Sequence, residues 1–274
     1  NIALLSEGIK LIYVFDGVYN VLKSKTHEKR QEAKDLAAEK FRTAKDEEDI
    51  EAMGKYAKAL GRLNEEMIEE SKALLEAMGI AVVQAPSEGE IQAAQLVKDG
   101  EAYAVGSQDY DALVVGGKRL IQNLTLARKR KTVSGFIYIA PEIIEYEKVL
   151  NHLGINADQF ICLAILVGTD FNNGGVKGIG PKKALALVRQ KKYPVTIFKE
   201  VEEIYGNLNF NWQDVFEIFK KPDVERIEVE FPKLDEKRIK EILVEEHDFS
   251  EERIEKQLDK LRDIKKKSSQ KTLF

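Results

Sequence analysis

Short apolar runs that end in acid govern what this chain can fold into. Residues 11–15 lead into Asp16, residues 81–83 into Glu88 and Glu90, residues 102–105 into Asp109 and Asp111, and residues 161–167 into Asp170. The first three runs suit strands buried on both faces; the fourth suits a core helix. Strand and helix alternate between them, which predicts an α/β fold: a mostly parallel twisted sheet with helices on both faces. In such sheets ligands collect beyond the carboxyl ends of the strands, where these acids fall. Tight loops offering acid from one end of a sheet make an intensely negative pocket, costly unless cations fill it. Mg²⁺ suits it, because it takes hard oxygen ligands and keeps waters for substrate phosphates. Two such ions about 3.5–4 Å apart make a phosphodiester-cleaving site.

Other segments sort by pattern. Residues 1–8 read as the end of a helix, so the natural N-terminus is expected to lie before Asn1. Residues 23–79 are charged and rich in Ala, Glu and Lys, which predicts helices broken by the polar turn Asp46-Glu47-Glu48-Asp49. The first part has few apolar anchors and is expected to project as an arm. Leu60, Leu63, Met67, Ile68, Leu74, Leu75 and Met78 recur at helical spacing and mark a packed helix. A helix is expected over 87–99, strands over 80–84, 101–105, 113–115, 119–124 and 136–139, and a helix from Pro141. Further helices are expected over 158–167 and 181–190, then short ones to about 244. An amphipathic helix over 251–265 and a flexible end from Lys265 complete the chain.

Composition excludes several classes. No stretch approaches the ~18 apolar residues that span a membrane, and no basic-then-apolar leader precedes the first strand. The lone cysteine, Cys162, forbids an intramolecular disulfide and fits a reducing, intracellular setting. With 43 Lys and Arg against 47 Asp and Glu, the net charge of −4 does not make a general nucleic-acid binder. Basic residues are nonetheless clustered, in Arg128-Lys129-Arg130-Lys131, Lys182-Lys183, Lys191-Lys192 and Lys265-Lys266-Lys267. Acid gathered in one pocket lowers the net charge without blocking phosphate contacts elsewhere.

Each motif also has a bland reading. Ser87-Glu88-Gly89-Glu90 is a capping box, Ser87 capping and Glu90 returning to its backbone. Asp109-x-Asp111 alone is a polar turn or the metal motif of a nucleotide-sugar transferase. Asp16-Gly17 and Thr169-Asp170 are ordinary turn pairs. Gly178-Ile179-Gly180-Pro181-Lys182-Lys183 is more specific, since two glycines let backbone N–H groups approach an anion before a helix starts. Lysines in a first helical turn oppose the helix dipole, a placement that makes sense with phosphate present. Lys23 and Arg30, seven residues apart, share a helix face that is either solvated or turned to a phosphate. His27, His152 and His247 show no metal spacing, and Phe210 and Trp212 read as core rather than base-stacking residues.

Taken in order, Val14-Phe15-Asp16-Gly17, Gln84-Ala85-Pro86-Ser87-Glu88-Gly89-Glu90, Ser107-Gln108-Asp109-Tyr110-Asp111, Leu166-Val167-Gly168-Thr169-Asp170 and residues 178–183 resemble the flap endonuclease 1 family of structure-specific 5′ nucleases. His247-Asp248-Phe249-Ser250-Glu251-Glu252-Arg253 resembles its archaeal branch, which would place the protein in the cytoplasm. The resemblance implies a PIN-like 5′ nuclease core over 1–150 with a helical arch at about 21–62. It implies a helix-hairpin-helix region over 151–264 and a flexible tail over 265–274. Metal ligands, direct or through water, would be Asp16, Glu88, Glu90, Asp109, Asp111 and Asp170, with Lys23 and Arg30 acting on the scissile phosphate. Gly178, Gly180, Lys182 and Lys183 would grip duplex DNA, with a monovalent cation on backbone carbonyls. Gln270, Leu273 and Phe274 resemble the start of the family's sliding-clamp peptide, without its second aromatic.

Three departures stand out. The family's first strand, which supplies another metal-binding aspartate, has no counterpart here. Val18-Tyr19-Asn20 replaces the usual residue and Pro-Pro, and Asn172-Asn173 replaces an Asn-Pro. The function expected is cleavage of branched DNA bearing a 5′ flap, by a monomer using two Mg²⁺ ions (Mn²⁺ substituting), with 5′–3′ exonuclease activity alongside. The alternatives are a non-catalytic adaptor for DNA or the clamp, and a sister nuclease acting on bubbles or DNA ends.

Overall fold

Strand and helix interleave from the first apolar run to about residue 122, strands then follow to 145, and the remaining elements are helical. The computed structural model describes every residue except 19–22, 47–48, 61–63, 125–128, 133–134 and 271–274, and does not describe the side chains of 24–34, 57–60, 129–131 and 268–270. In chain order the elements begin with α1 (Ile2–Ser6), β1 (Ile12–Phe15), α2 (Ser24–Asp46), α3 (Ile50–Leu60), α4 (Glu65–Ala77), β2 (Ala81–Gln84) and α5 (Gly89–Asp99). Next come β3 (Val105–Gly106), α6 (Asp111–Val114), β4 (Arg119–Gln122), β5 (Lys129–Thr132), β6 (Gly135–Tyr138), β7 (Glu142–Glu145) and α7 (Tyr146–Leu153). The chain continues with α8 (Ala157–Val167), α9 (Pro181–Gln190), α10 (Pro194–Tyr205), α11 (Trp212–Lys220), α12 (Glu236–Lys240), a π-helical turn (Glu241–Glu246) and α13 (Glu251–Gln270). Among the described residues no single helix is long and apolar enough to cross a membrane.

Packing groups these elements into two units, neither of them a continuous stretch. One unit comprises Asn1–Gly17, Glu65–Val149 and Asp223–Phe274; the other comprises Val18–Asn64 and Leu150–Pro222. The grouping differs from cuts at 150 and 264, since the arch residues go with the helical region and the chain after 222 rejoins the α/β unit. The apolar stripe of α13 explains that return. Ile254, Leu258 and Leu261, spaced four and three apart, are buried with Leu75, Met78, Ile80 and Ile239 in one cluster. Each such side chain contributes roughly 1.5–3 kcal/mol on burial. Arg262 then pins α13 to α12, through Nε to Glu236 Oε1 at 2.8 Å and Nη2 to Glu236 Oε2 at 2.5 Å.

The described strands fall into three sheets, β1-β2, β3-β4-β7 and β5-β6, with parallel and antiparallel pairs mixed rather than mostly parallel. β1 pairs parallel with β2, and β3 parallel with β4. β4 pairs antiparallel with β7, and β5 with β6 as a hairpin built from the basic excursion. β7 stands where Pro141 suggested a helix start; the strand follows at once, and α7 begins only at Tyr146. Residues 113–115 are not a strand. Ala112, Leu113 and Val114 are buried in the single turn of α6, and so short an apolar run does not tell a buried strand from a buried helical turn. The expected strand over 101–105 shrinks to Val105–Gly106. Residues 221–235 form no helix. Instead Gln92, fully buried on α5, bonds both ways with Glu225, its Nε2 to the carbonyl at 2.8 Å and its Oε1 to the N–H at 2.9 Å.

The chain up to Gln270 is also more ordered than its composition suggests. α13 runs through Gln270, five residues beyond the expected stop at Lys265, whose ammonium donates to the Gly79 carbonyl at 3.2 Å. Burial lowers the Lys265 pKa, with Lys10 adding to the effect.

In the second unit α2 and α3 meet across the expected polar turn. Asp49 caps α3, its Oδ1 accepting from Ala52 N at 2.9 Å, and Ala37 and Ala44 are buried seven residues apart on α2. The helices from α8 to α11 bury Ile161, Cys162, Ile165, Ala184, Val188, Phe198 and Phe219. Half-buried Trp212 stacks on the buried Phe198 at 4.4 Å and 10°, so it packs against the core of this unit.

Candidate functional site

The α/β unit stitches β1 to the start of α5. Asp16 Oδ1 accepts from Gly89 N at 2.7 Å, and Gly17 N donates to Ser87 O at 2.6 Å. Gln84 Nε2 adds a bond to Asp16 O at 2.6 Å. Asp16 thus caps one of the open N–H groups of α5, a task the sequence assigned to Ser87. The Ser87–Glu90 capping box does not form: Glu88 takes the N-cap position and makes no side-chain cap bond. The approach is close: a Cβ at position 89 would lie 3.0 Å from Asp16 Oδ1 and 3.1 Å from Val14 O, so a larger residue would press on this contact. Glu88 and Glu90 flank this contact, in the first turn of a helix whose dipole favours negative charge.

The other acids of this unit join through a serine. Ser107 Oγ donates to Glu90 Oε1, and the same hydroxyl accepts from Asp109 N at 3.1 Å. Asp111 opens α6 two residues later. Asp16, Glu88, Glu90 and Asp109 therefore sit on segments bonded to one another directly or through Ser107, beyond the carboxyl ends of β1, β2 and β3.

The donor set is all oxygen, with no thiolate or imidazole, which fits a hard divalent cation. No three His, Cys, Asp or Glu side chains among the described residues already stand close enough together to hold a metal ion.

Asp170 belongs to the other unit, where its surroundings are equally defined. Lys23 Nζ lies 3.8 Å from Asp170 Oδ2 and 4.8 Å from the centre of the Phe171 ring. Phe171 is buried, edge-on to Phe219 at 5.5 Å. The loop is held by Asn172, a buried residue that the sequence marked only as a departure. Its Oδ1 accepts from Thr169 N at 3.1 Å and Thr169 Oγ1 at 2.7 Å, and its Nδ2 donates to Ile165 O at 2.7 Å. These bonds help close the C-terminus of α8, where Gly168 N takes Ala164 O and Val176 N takes Leu166 O. The Gly174-Gly175 turn folds back on this end so tightly that a Cβ on Gly175, already at φ +57°, would come 2.5 Å from Leu166 O.

Residues 178–183 form the expected turn into a helix. Gly180 is the N-cap of α9 with Pro181 next, and Ile179 is buried beneath the turn. Gly178, Gly180, Lys182 and Lys183 are exposed. Lys183 Nζ donates to Gly178 O at 3.1 Å, which ties the first turn of α9 to the hairpin backbone.

Arg30 lies on α2 with its side chain outside the description, and the path through residues 19–22 into Lys23 lies outside the described residues. Gln270 ends α13, while Leu273 and Phe274 lie outside the described residues. Sequence reasoning missed Ser107 and Asn172 as supports. Each sits two residues from an aspartate in a loop, the only local signal either offered.

The XPG I-region family matches residues 79–170, the span from the end of α4 to Asp170. Flap endonuclease 1 of Pyrococcus furiosus is 45% identical over 275 residues, covering 99% of this chain and 79% of the relative. The structure of flap endonuclease-1 from Methanococcus jannaschii matches with a TM-score of 0.70 and 40% identity, covering 96% of this chain and 78% of that one. The Holliday junction-resolving enzyme GEN1, solved with product DNA and a Mg²⁺ ion, shares the fold at a TM-score of 0.56 and 18% identity, covering 89% and 57%. The fold is the PIN-like α/β nuclease core with helical additions that defines structure-specific 5′ nucleases, hydrolases acting on DNA. Within that class, the chain belongs to the flap endonuclease 1 family.

Proposed function

We propose that the chain cuts branched DNA at the base of a 5′ flap, inside the cell and as a monomer, with two divalent ions held by Asp16, Glu88, Glu90, Asp109, Asp111 and Asp170. The observation that carries the reading is the bonding of Asp16 to the start of α5 and of Glu90, through Ser107, to the Asp109 backbone. Bound Mg²⁺ or Mn²⁺ would supply hydroxide and neutralise phosphate charge. Lys23 faces Asp170 and would turn to the scissile phosphate when substrate arrives; Arg30 would share that task. Gly178, Gly180, Lys182 and Lys183 would hold one duplex strand by its phosphates without reading bases. A monovalent cation there would share the Gly178 carbonyl with Lys183, whose ammonium already meets it. At the far end, Gln270, Leu273 and Phe274 would dock on a sliding clamp. Two apolar anchors give little to offset the ordering of a peptide, so this docking is weak.

The deciding experiment presents a labelled 5′ flap, a bubble and a blunt duplex, with and without Mg²⁺. Cleavage of the flap, abolished in Glu90→Ala and Asp111→Ala with DNA binding largely kept, is the expected result. Binding without metal-dependent cleavage would make the chain an adaptor, and preference for the bubble or the blunt end would make it a sister nuclease. Titration of the clamp against chains with and without residues 268–274 tests the tail, and equal affinity would remove it from the interaction.

A further inference from the structure

The two acid-bearing loops of the α/β unit share one neutral side chain. Ser107 is itself fixed to the sheet, its N–H donating to Ile121 O at 3.2 Å as the β3–β4 ladder ends. The next residue is pinned too, Gln122 Nε2 donating to Gln108 O at 2.8 Å. From this anchored position the hydroxyl uses its one hydrogen on Glu90 Oε1 and a lone pair on Asp109 N–H. One hydroxyl thus links a carboxylate on α5 to a loop 17 residues further on.

We propose that Ser107 is a positioning residue for the metal site, a role that rests on the ligand reading given above. Without cation, Glu90 and the aspartates of the 109–111 loop are like charges that favour moving apart. The Ser107 hydroxyl opposes that movement. It fixes one Glu90 oxygen, and its acceptor face orients the backbone that carries Asp109. The ordering is then completed before metal arrives, so its loss falls on metal affinity. Partners of this kind typically change metal affinity 10–100-fold when removed.

The test compares wild type, Ser107→Ala, Ser107→Thr and Glu90→Ala in two measurements. One is Mn²⁺ binding by calorimetry without DNA. The other is the Mg²⁺ dependence of flap cleavage. Ser107→Ala should weaken Mn²⁺ binding about tenfold and shift the Mg²⁺ midpoint upward by the same factor, with most of the lost rate recovered at saturating Mg²⁺. Ser107→Thr, which keeps the hydroxyl, should restore both. A Ser107→Ala protein with unchanged Mn²⁺ affinity and Mg²⁺ midpoint, but a lower melting temperature or rate, would show a merely structural serine and overturn the proposal. Glu90→Ala separates the two levels. If it loses Mn²⁺ binding while Ser107→Ala does not, the ligand reading stands and the serine's role falls. If Glu90→Ala binds Mn²⁺ as wild type does, the ligand reading falls and takes the serine's role with it.

Discussion

Asn172→Ala should be among the most damaging single substitutions on the loop that carries Asp170. The buried amide makes three hydrogen bonds, two accepted from Thr169 and one donated to Ile165 O. Ile165 is fully buried, and its carbonyl belongs to the last turn of α8, so no helical N–H follows to take it. Leaving that carbonyl unpaired costs about 1–3 kcal/mol, and the two lost Thr169 bonds add about 1 kcal/mol each. Thr169 is half-exposed and water recovers part of its share, so we expect a loss of roughly 3 kcal/mol. Urea unfolding followed by tryptophan fluorescence is the suitable assay. The only tryptophan, Trp212, stacks on Phe198 in the same packing unit and reports its melting directly. Asn172→Asp sharpens the test. An aspartate keeps both acceptor bonds and nearly the same shape, but it sets a charged oxygen against Ile165 O. It should therefore destabilise at least as much as alanine. A loss below about 0.5 kcal/mol in Asn172→Ala, or an aspartate variant near wild type, would refute the claim that the amide closes this helix end.

Two further outcomes follow from other sites. Lys182→Ala and Lys183→Ala should each weaken DNA binding alike for all sequences and flatten its salt dependence by about one unit; an unchanged slope in both would remove residues 178–183 as a phosphate grip. Burial, with Asp158 adding to it, pushes the Cys162 thiol up to about 12. Its raised folded value means that the thiol's contribution to stability is whole below the ordinary thiol range and is lost as pH rises from there toward 12. Urea midpoints measured from pH 8 to 10.5 should therefore fall more steeply for wild type than for Cys162→Ala, and parallel curves would contradict this.

Elements whose signals are local were legible in the chain itself. The acids beyond β1, β2 and β3, the Pro181 start of α9, the polar break between α2 and α3 and the packing of Trp212 against the core follow from spacing, turn chemistry and apolar run length. The flap endonuclease 1 family was equally legible, because its motifs are short and keep their order. What remained hidden depends on partners distant in sequence. Asp16 caps a helix whose first N–H comes 73 residues later, and Gln92 holds a strip of chain 133 residues away. No periodicity announces either, and Ser87 offered α5 an equally plausible local cap. α13 extends to Gln270 and rejoins the first unit because Ile254, Leu258 and Leu261 find apolar surface on α4 and α12, while its basic end alone reads as a flexible tail. Local propensity sets which conformations a segment prefers, by amounts of about a kcal/mol per residue or less. Burial and hydrogen bonding across the fold are larger, so they chose the helix cap, the mixed strand order and the serine and asparagine that hold the acid loops.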